Sequence, residues 1–321
     1  MGLRPKKATN NPKKHIAMPT PLIHLDRICK SYRGVPALIN VSLEIARGSI
    51  LAFMGPNGAG KTTAIKIMTG LLRPDSGTVY YNGRAFHPRN SEQKRLVGVV
   101  PQHNNIDRDL TVEENLRIHG MLFGMRGKTL EAKMDEVLLA VELDAMRATV
   151  SGRLSGGLQR RLTIARALLH EPKILFLDEP SNGLDPANRR AIHGLVRRLN
   201  KDVGVTVFLT THAIDEAEAL SSRVAFIAGG CLVAEGEPQE MKAAIGRFAL
   251  DCMGESGEFS LAETRYFSLR ADAVKAAQLA TVNVNIREVT LEDVYARATG
   301  KRLTGAENAM EEGTGRRKRH A

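Results

Sequence analysis

Eight consecutive residues, Gly55-Pro56-Asn57-Gly58-Ala59-Gly60-Lys61-Thr62, constrain this chain more than any other feature. They fit GxxxxGK[ST] without deviation, and on background composition such a match arises by chance in roughly one chain of this kind in a hundred. The apolar run Ile50-Leu51-Ala52-Phe53-Met54 precedes them and reads as a buried strand. The run Thr63–Leu72 follows with a helical pattern, which completes the strand–loop–helix setting the motif requires. Glycines let the backbone curl so that successive N–H groups point inward, and the next helix offers its positive end to phosphate. Lys61 supplies a mobile charge for β- and γ-phosphates, while the Thr62 hydroxyl can join a Mg²⁺ shell. Residues Gly55 to Thr63 are therefore the predicted nucleotide-phosphate site, with β- and γ-phosphates and Mg²⁺ as the implied ligands.

A Mg²⁺ ion held this way needs a second anchor, normally an acid ending an apolar strand. Ile174-Leu175-Phe176-Leu177-Asp178-Glu179 is such a strand with two carboxylates at its tip. Adjacent acids pointing to opposite sides can divide the work. Asp178 would face the metal shell, and Glu179 would hold the attacking water as general base or orienter.

Composition closes off other classes. At 321 residues with 43% apolar and 25% charged side chains, the chain is long enough for one large or two modest domains and an ordinary core. Its longest apolar stretches run to about ten residues, against the ~20 of a membrane helix. The first twenty residues are basic without an apolar segment behind them, so no secretory signal is expected. Cys29, Cys231 and Cys252 stand far apart, which is neither a zinc framework nor a disulfide scaffold and fits a reducing compartment. The net charge of +11 sits mainly in the ends: residues 1–25 carry +5 and residues 301–321 carry +3, leaving +3 for the middle. Charge of this kind usually solvates disordered ends, with anionic lipid or nucleic acid as the other partners it could take. Aromatics are 4% with no Trp, a poor base-stacking platform.

Along the chain, the segment to about Thr20 is polar and broken by Pro5, Pro12 and Pro19, so it reads as disordered, with Met18 as a possible start. Leu22–Ile28 alternates as an edge or hairpin strand would. Ala37–Ile45 is a further strand, Asn82-Gly83 closes a hairpin after Thr78–Tyr81, and Leu96–Val100 is another apolar run. Helical pattern extends from Thr111 to about Leu169, opened by a Thr111/Glu114 capping box and including Leu130–Leu143. Strands at Ile174–Leu177 and Val205–Leu209 then alternate with helices at about Ala187–Lys201 and Ile214–Leu220. A hairpin joins Val224–Ile227 to Cys231–Ala234. This is an α/β core interrupted by a helical insertion. From about Phe248 the pattern weakens into a small α+β appendage, ending in a helix after Thr290.

Within that insertion, Leu154-Ser155-Gly156-Gly157-Leu158-Gln159 resembles the signature of ABC (ATP-binding cassette) ATPases, and the family's motif order is kept from about Leu22 to Glu237. Leu158 stands where the commonest signature has Gln. Ser155 can cap the helix that runs to about Leu169. The resemblance implies that Ser155, Gly156 and Gly157 bind the γ-phosphate held by a facing protomer. It also implies that Tyr32 stacks on adenine, Gln102 joins the metal shell and couples to a membrane partner, and His212 contacts the γ-phosphate. Asn182-Gly183-Leu184-Asp185 resembles the D-loop, departing from the usual small apolar pair at Asn182-Gly183. Thr111–Leu116 and Thr290–Tyr295 with Thr299-Gly300 are similar to ATPase subunits of ABC-2-type exporters, the daunorubicin-resistance and nodulation-factor branch.

The implied fold is a phosphate-loop NTPase core of ABC type: a RecA-like α/β subdomain, an antiparallel β-subdomain and a helical signature subdomain. The expected divisions are a tail at 1–21, the cassette at 22–247 with its insertion at about 104–170, an accessory region at 248–303 and a tail at 304–321. The implied activity is ATP hydrolysis. Lys61, Glu179 and His212 would be catalytic, and Thr62, Gln102 and Asp178 would hold the metal. Asp185 and the signature would complete the nucleotide site. The implied setting is an ATP-dependent homodimer under a separate ABC-2-type permease, peripheral on the cytoplasmic face of the plasma (inner) membrane, with no nucleic acid. The rival reading is a soluble ABC ATPase acting on nucleic acid or ribosomes, favoured by the basic tails. One cassette instead of a tandem pair, and no coiled-coil or zinc insertion, stand against it. A catalytically dead regulatory cassette is disfavoured because Lys61, Asp178, Glu179 and His212 are all present.

Overall fold

Five parallel strands carry the centre of the molecule, in a computed structural model that describes residues 20–253 and 261–303. The expected tails, Thr20 and Pro21 apart, and the possible start at Met18 lie outside the described residues. The strands are β3 (Ile50–Met54), β6 (Val97–Val100), β7 (Ile174–Asp178), β8 (Thr206–Thr211) and β9 (Arg223–Ala228), with β10 (Cys231–Gly236) antiparallel on one edge. Their order is β10-β9-β3-β8-β7-β6. Every residue of β3, β7 and β8 is buried, as strands covered on both faces must be. Side chains alternate between two cores. Leu51, Phe53 and Phe176 face α1 (Lys61–Met68), while Ala52, Met54, Leu175 and Leu177 face the inserted helices.

The first core is closed by an antiparallel sheet of β1 (Ile23–Tyr32), β2 (Val35–Ile45), β4 (Ser76–Tyr81) and β5 (Arg84–Ala85), ordered β2-β1-β4-β5. The alternating Leu22–Ile28 segment does form a hairpin with β2, but it is not an edge strand: Ile23 pairs with Ile45 on one side and Tyr81 on the other. Alternation reports one covered face and says nothing about a strand pairing fifty residues away. Asn82 and Gly83 both have positive φ, 52° and 74°, the geometry of the tight hairpin turn expected there. The short α2 (Ser91–Arg95), capped by Asn90, leads into β6.

Between β6 and β7 the insertion contains α3 (Val112–Leu122), α4 (Gly127–Ala140) and α5 (Gly156–Leu168). The Thr111/Glu114 capping box opens α3. The continuous helical pattern is thus three helices, and the helix expected to reach Leu143 stops at Ala140. After β7 come α6 (Pro186–Val203) and, after β8, α7 (Ile214–Leu220). The phosphate loop and the loops bearing Gln102, the paired acids and His212 leave the same, C-terminal ends of β3, β6, β7 and β8. In open parallel sheets that end forms the ligand crevice.

The last part of the chain holds α8 (Pro238–Ile245), which carries no clear sequence signal, then β11 (Phe248–Met253), β12 (Leu261–Phe267), α9 (Arg270–Gln278), β13 (Val284–Glu288) and α10 (Leu291–Thr299). The strands form a separate antiparallel sheet, β12-β11-β13. Helix α10 instead leaves that sheet and seats on the cassette. Leu291, Val294 and Tyr295 join the second core, with the Tyr295 ring 5.6 Å from that of Phe226. Burial of each such side chain contributes about 1.5–3 kcal/mol. Arg287 on β13 binds the buried carboxylates of both Asp251 (2.7 Å) and Asp293 (2.6 Å), locking the small sheet to α10. Arg287→Met would take this cation from two buried acids, leaving Asp251 the more distant Arg302 at 3.9 Å, and is expected to cost about 3–5 kcal/mol. Denaturant unfolding measures it, and a loss under about 1 kcal/mol would remove the lock.

Candidate active site

Loop 55–60 is shaped by close backbone approach. A Cβ at Gly55 would lie 2.3 Å from the Ile227 carbonyl, and one at Gly60 2.4 Å from that of Ala37. Gly60 also has φ 111° and serves as the N-cap of α1 without any side-chain cap. The leading N–H groups of α1 therefore remain for an external acceptor. Lys61 is 6% exposed and its Nζ donates to the carbonyls of Gly55 (2.8 Å) and Pro56 (3.2 Å). It also lies 3.5 Å from Glu179 Oε1. The cavity in front of the loop measures about 740 Å³ and is lined by Tyr32, Asn57, Gly58, Gly60, Lys61, Thr62, Thr63, Gln102, Glu179 and His212. That volume is within the usual range for a small-molecule site.

The acids at the end of β7 are placed by the backbone. Glu179 has φ 45°, a left-handed conformation uncommon for a non-glycine residue. The strand thus ends at Asp178, and a turn, not strand alternation, separates the two carboxylates. The Glu179 N–H donates to Thr210 on β8, which fixes the turn. Asp178 accepts from Thr210 Oγ1 at 2.6 Å and from Thr62 Oγ1 at 3.1 Å. Glu179 gathers donors: Gln102 Nε2 at 3.3 Å and Asn182 Nδ2 at 3.0 Å on Oε2, with His212 Nδ1 3.4 Å from Oε1. The His212 contact, then the charge of Lys61, hold the Glu179 carboxyl below the usual carboxylate range against the opposing effect of burial. It is therefore ionised at neutral pH. Hydroxyl, carboxylate and amide from Thr62, Asp178 and Gln102 are hard oxygen donors. Such a partial set suits Mg²⁺, which keeps waters and takes phosphate oxygens.

The other predicted residues form a second group outside this cavity. Ser155 caps α5 by accepting from the Leu158 N–H, and Ser155 and Gly156 are exposed. A Cβ at Gly157 would meet Asn188 Oδ1 at 2.1 Å. Asn188 in turn donates to Asp185 Oδ2 (2.5 Å), and Asp185 caps α6 through the Ala187 and Asn188 N–H groups. The signature turn and Asp185 are thus packed together, and neither lines the cavity in front of the phosphate loop. Two contributors escaped sequence reasoning. Asn182 lines the cavity and binds Glu179, although its departure from the family pattern was the signal available. Ala37 lines the cavity through β2 with no sequence signal at all.

A parallel sheet with a glycine-rich phosphate loop after one strand, paired acids after a second and a histidine after a third defines a phosphate-loop nucleoside triphosphatase. Residues 38–182 match the family described as ABC transporter. The chain is 36% identical over 303 residues to a Nod factor export ATP-binding protein I of Paraburkholderia xenovorans, covering 89% of this chain and 99% of that one. Its counterpart in Cupriavidus metallidurans is 35% identical over 301 residues, covering 88% and 99%. Among solved structures, cbiO1 from Clostridium perfringens, part of the ABC transporter complex cbiONQ, superposes with a TM-score of 0.66 at 26% identity, covering 70% of this chain and 91% of that one. The ATP-binding cassette MJ0796, a dimer in a post-hydrolysis state bound to ADP and Pi, gives 0.60 at 30% identity, with coverage of 67% and 98%. The chain belongs to the ABC transporter family as an ATP-binding, ATP-hydrolysing subunit.

Proposed function

We propose that this subunit powers a separate ABC-2-type permease for export, as a homodimer closed by ATP on the cytoplasmic face of the membrane. One observation carries the reading: the predicted site residues fall into two groups, and the exposed Ser155–Gly156 turn lies outside the cavity of its own chain. A second copy facing the first would supply that turn to the open side of the cavity. The export names of the relatives support the direction. No helix of the described residues is long and apolar enough to cross a membrane, so a separate permease would supply the spans. Residues 22–247 would be the cassette and 248–303 an accessory region anchored through α10.

In this reading Tyr32 flanks the adenine, and loop 55–63 with Lys61 cradles the phosphates. Thr62, Asp178 and Gln102 would hold Mg²⁺, which when bound neutralises charge on the β- and γ-phosphates. Glu179 accepts the proton of the attacking water, and His212, Gln102 and Asn182 keep its carboxylate in place. Purification of the tagged chain from its native membranes tests the assignment. Recovery of a multi-span permease in stoichiometric amount is expected, and recovery of RNA or ribosomes without one would overturn it.

A further inference from the structure

Arg160, in the second turn of α5, is 3% exposed, and its guanidinium binds backbone carbonyls from two strand ends. Nε donates to Pro180 O at 2.9 Å, and Nη2 to Asp178 O at 3.0 Å and Glu179 O at 3.3 Å. Nη1 donates to Pro101 O and, at 3.4 Å, to Gln102 O. These carbonyls belong to, or adjoin, the residues that present Gln102, Asp178 and Glu179. Burial pushes the guanidinium down to about 10, with the charge of Asp178 opposing, so it stays a cation at neutral pH. A planar fork with five N–H donors suits such a set of fixed acceptors; a lysine offers three donors from one point.

The same face of α5 continues the contact. Thr163 Oγ1 donates to Asn104 Oδ1 at 3.3 Å, and Arg166 Nη1 to Asn105 O at 2.5 Å. Residues 160, 163 and 166 recur every three positions and so share one side of the helix. Helix α5 therefore grips loop 101–105 along its length, while its capped N-terminus is the Ser155–Gly157 turn. Arg160 alone of the three also reaches the end of β7.

We propose that Arg160 is a positioning residue for hydrolysis, a strut that ties the signature helix to the strand ends holding Gln102, Asp178 and Glu179. Movement of the Ser155–Gly157 turn on engagement is thereby transmitted to the Glu179 carboxylate. The inference rests on the reading of Glu179 as the water-activating group. It assigns Arg160 no contact with nucleotide.

The test compares Arg160→Lys and Arg160→Met with Leu138→Ala, a buried change on α4 in the same core, chosen as a stability control. ATP affinity and steady-state hydrolysis are measured on the full chain below the melting temperature of each variant. Expected for Arg160→Met is a kcat at least tenfold lower with ATP affinity within about threefold of the parent. Arg160→Lys should recover part of the loss, and Leu138→Ala should keep its kcat. A kcat for the Arg160 variants no lower than that of Leu138→Ala would overturn the proposal. So would a loss confined to ATP affinity, or failure of both Arg160 variants to fold, since either makes the residue a support of binding or of the fold. Glu179→Gln run in parallel separates the two ideas: near-parent turnover by it overturns the reading of Glu179 and the strut with it. An inactive Glu179→Gln beside normal Arg160 variants overturns the strut alone.

Discussion

Glu179→Gln is expected to bind ATP and fail to turn it over. The amide keeps the size of the side chain and an oxygen that accepts from Gln102 and Asn182. It has no charge to set against Lys61 and His212 and cannot take a proton from water. Asp178, Thr62 and Lys61 still hold the phosphates and metal, so affinity should be kept while kcat falls about 10²–10⁴-fold, the usual contribution of a positioned general base. Unhydrolysed ATP should then trap two chains face to face. Size-exclusion chromatography with and without Mg·ATP would show it. A parallel Ser155→Arg change in the same background fills the exposed signature turn and should return the protein to monomer. Near-parent hydrolysis by the Gln variant removes Glu179 from the mechanism. A dimer that survives Ser155→Arg removes the two-chain site.

Lys61→Ala should weaken binding itself. Lys61 Nζ is buried between the Gly55 and Pro56 carbonyls and Glu179, where a phosphate oxygen would find a preorganised cation. A charge-assisted hydrogen bond of this kind contributes about 1.5–3 kcal/mol, or roughly ten- to hundredfold in affinity. The fold should persist, because Lys61 lines the cavity and water can enter the space its side chain leaves. Titration calorimetry beside circular dichroism checks both halves. Undiminished affinity in a folded variant would refute the phosphate-loop assignment.

The acid pair illustrates how a choice of residues made from sequence can rest on incomplete geometry. Asp178 and Glu179 were legible as an apolar strand with a carboxylate tip. Strand alternation predicts that the two carboxylates point to opposite sides, yet the structure parts them with a left-handed turn at Glu179 held by Thr210 from β8. The accessory region shows the same limit at larger scale. Its weak periodicity marked a change after Phe248, but the seat of α10 on Phe226 and the Arg287 lock are contacts across the chain. A cut near Arg247 would therefore strip apolar cover from the cassette.

Two adjacent arginines mark the division most clearly. Arg160 and Arg161 follow the signature with the same residue type, and nothing in their spacing separates them. In the fold one is buried against five strand-end carbonyls, while the other pairs with Glu142 near the surface. What the sequence by itself determined was local: the phosphate loop, the caps at Thr111 and Ser155, the hairpin at Asn82-Gly83 and the apolar strands. There, backbone torsions and hydrogen bonds close within a few residues, so neighbours in sequence decide them. Tertiary structure alone decided which arginine is desolvated, which donors gather on Glu179 and that Ser155 and Asp185 fall outside the lining of the cavity. Each depends on groups from other elements, such as Gln102 on Glu179 or Pro180 on Arg160, brought within hydrogen-bond reach when the parallel strands align their ends.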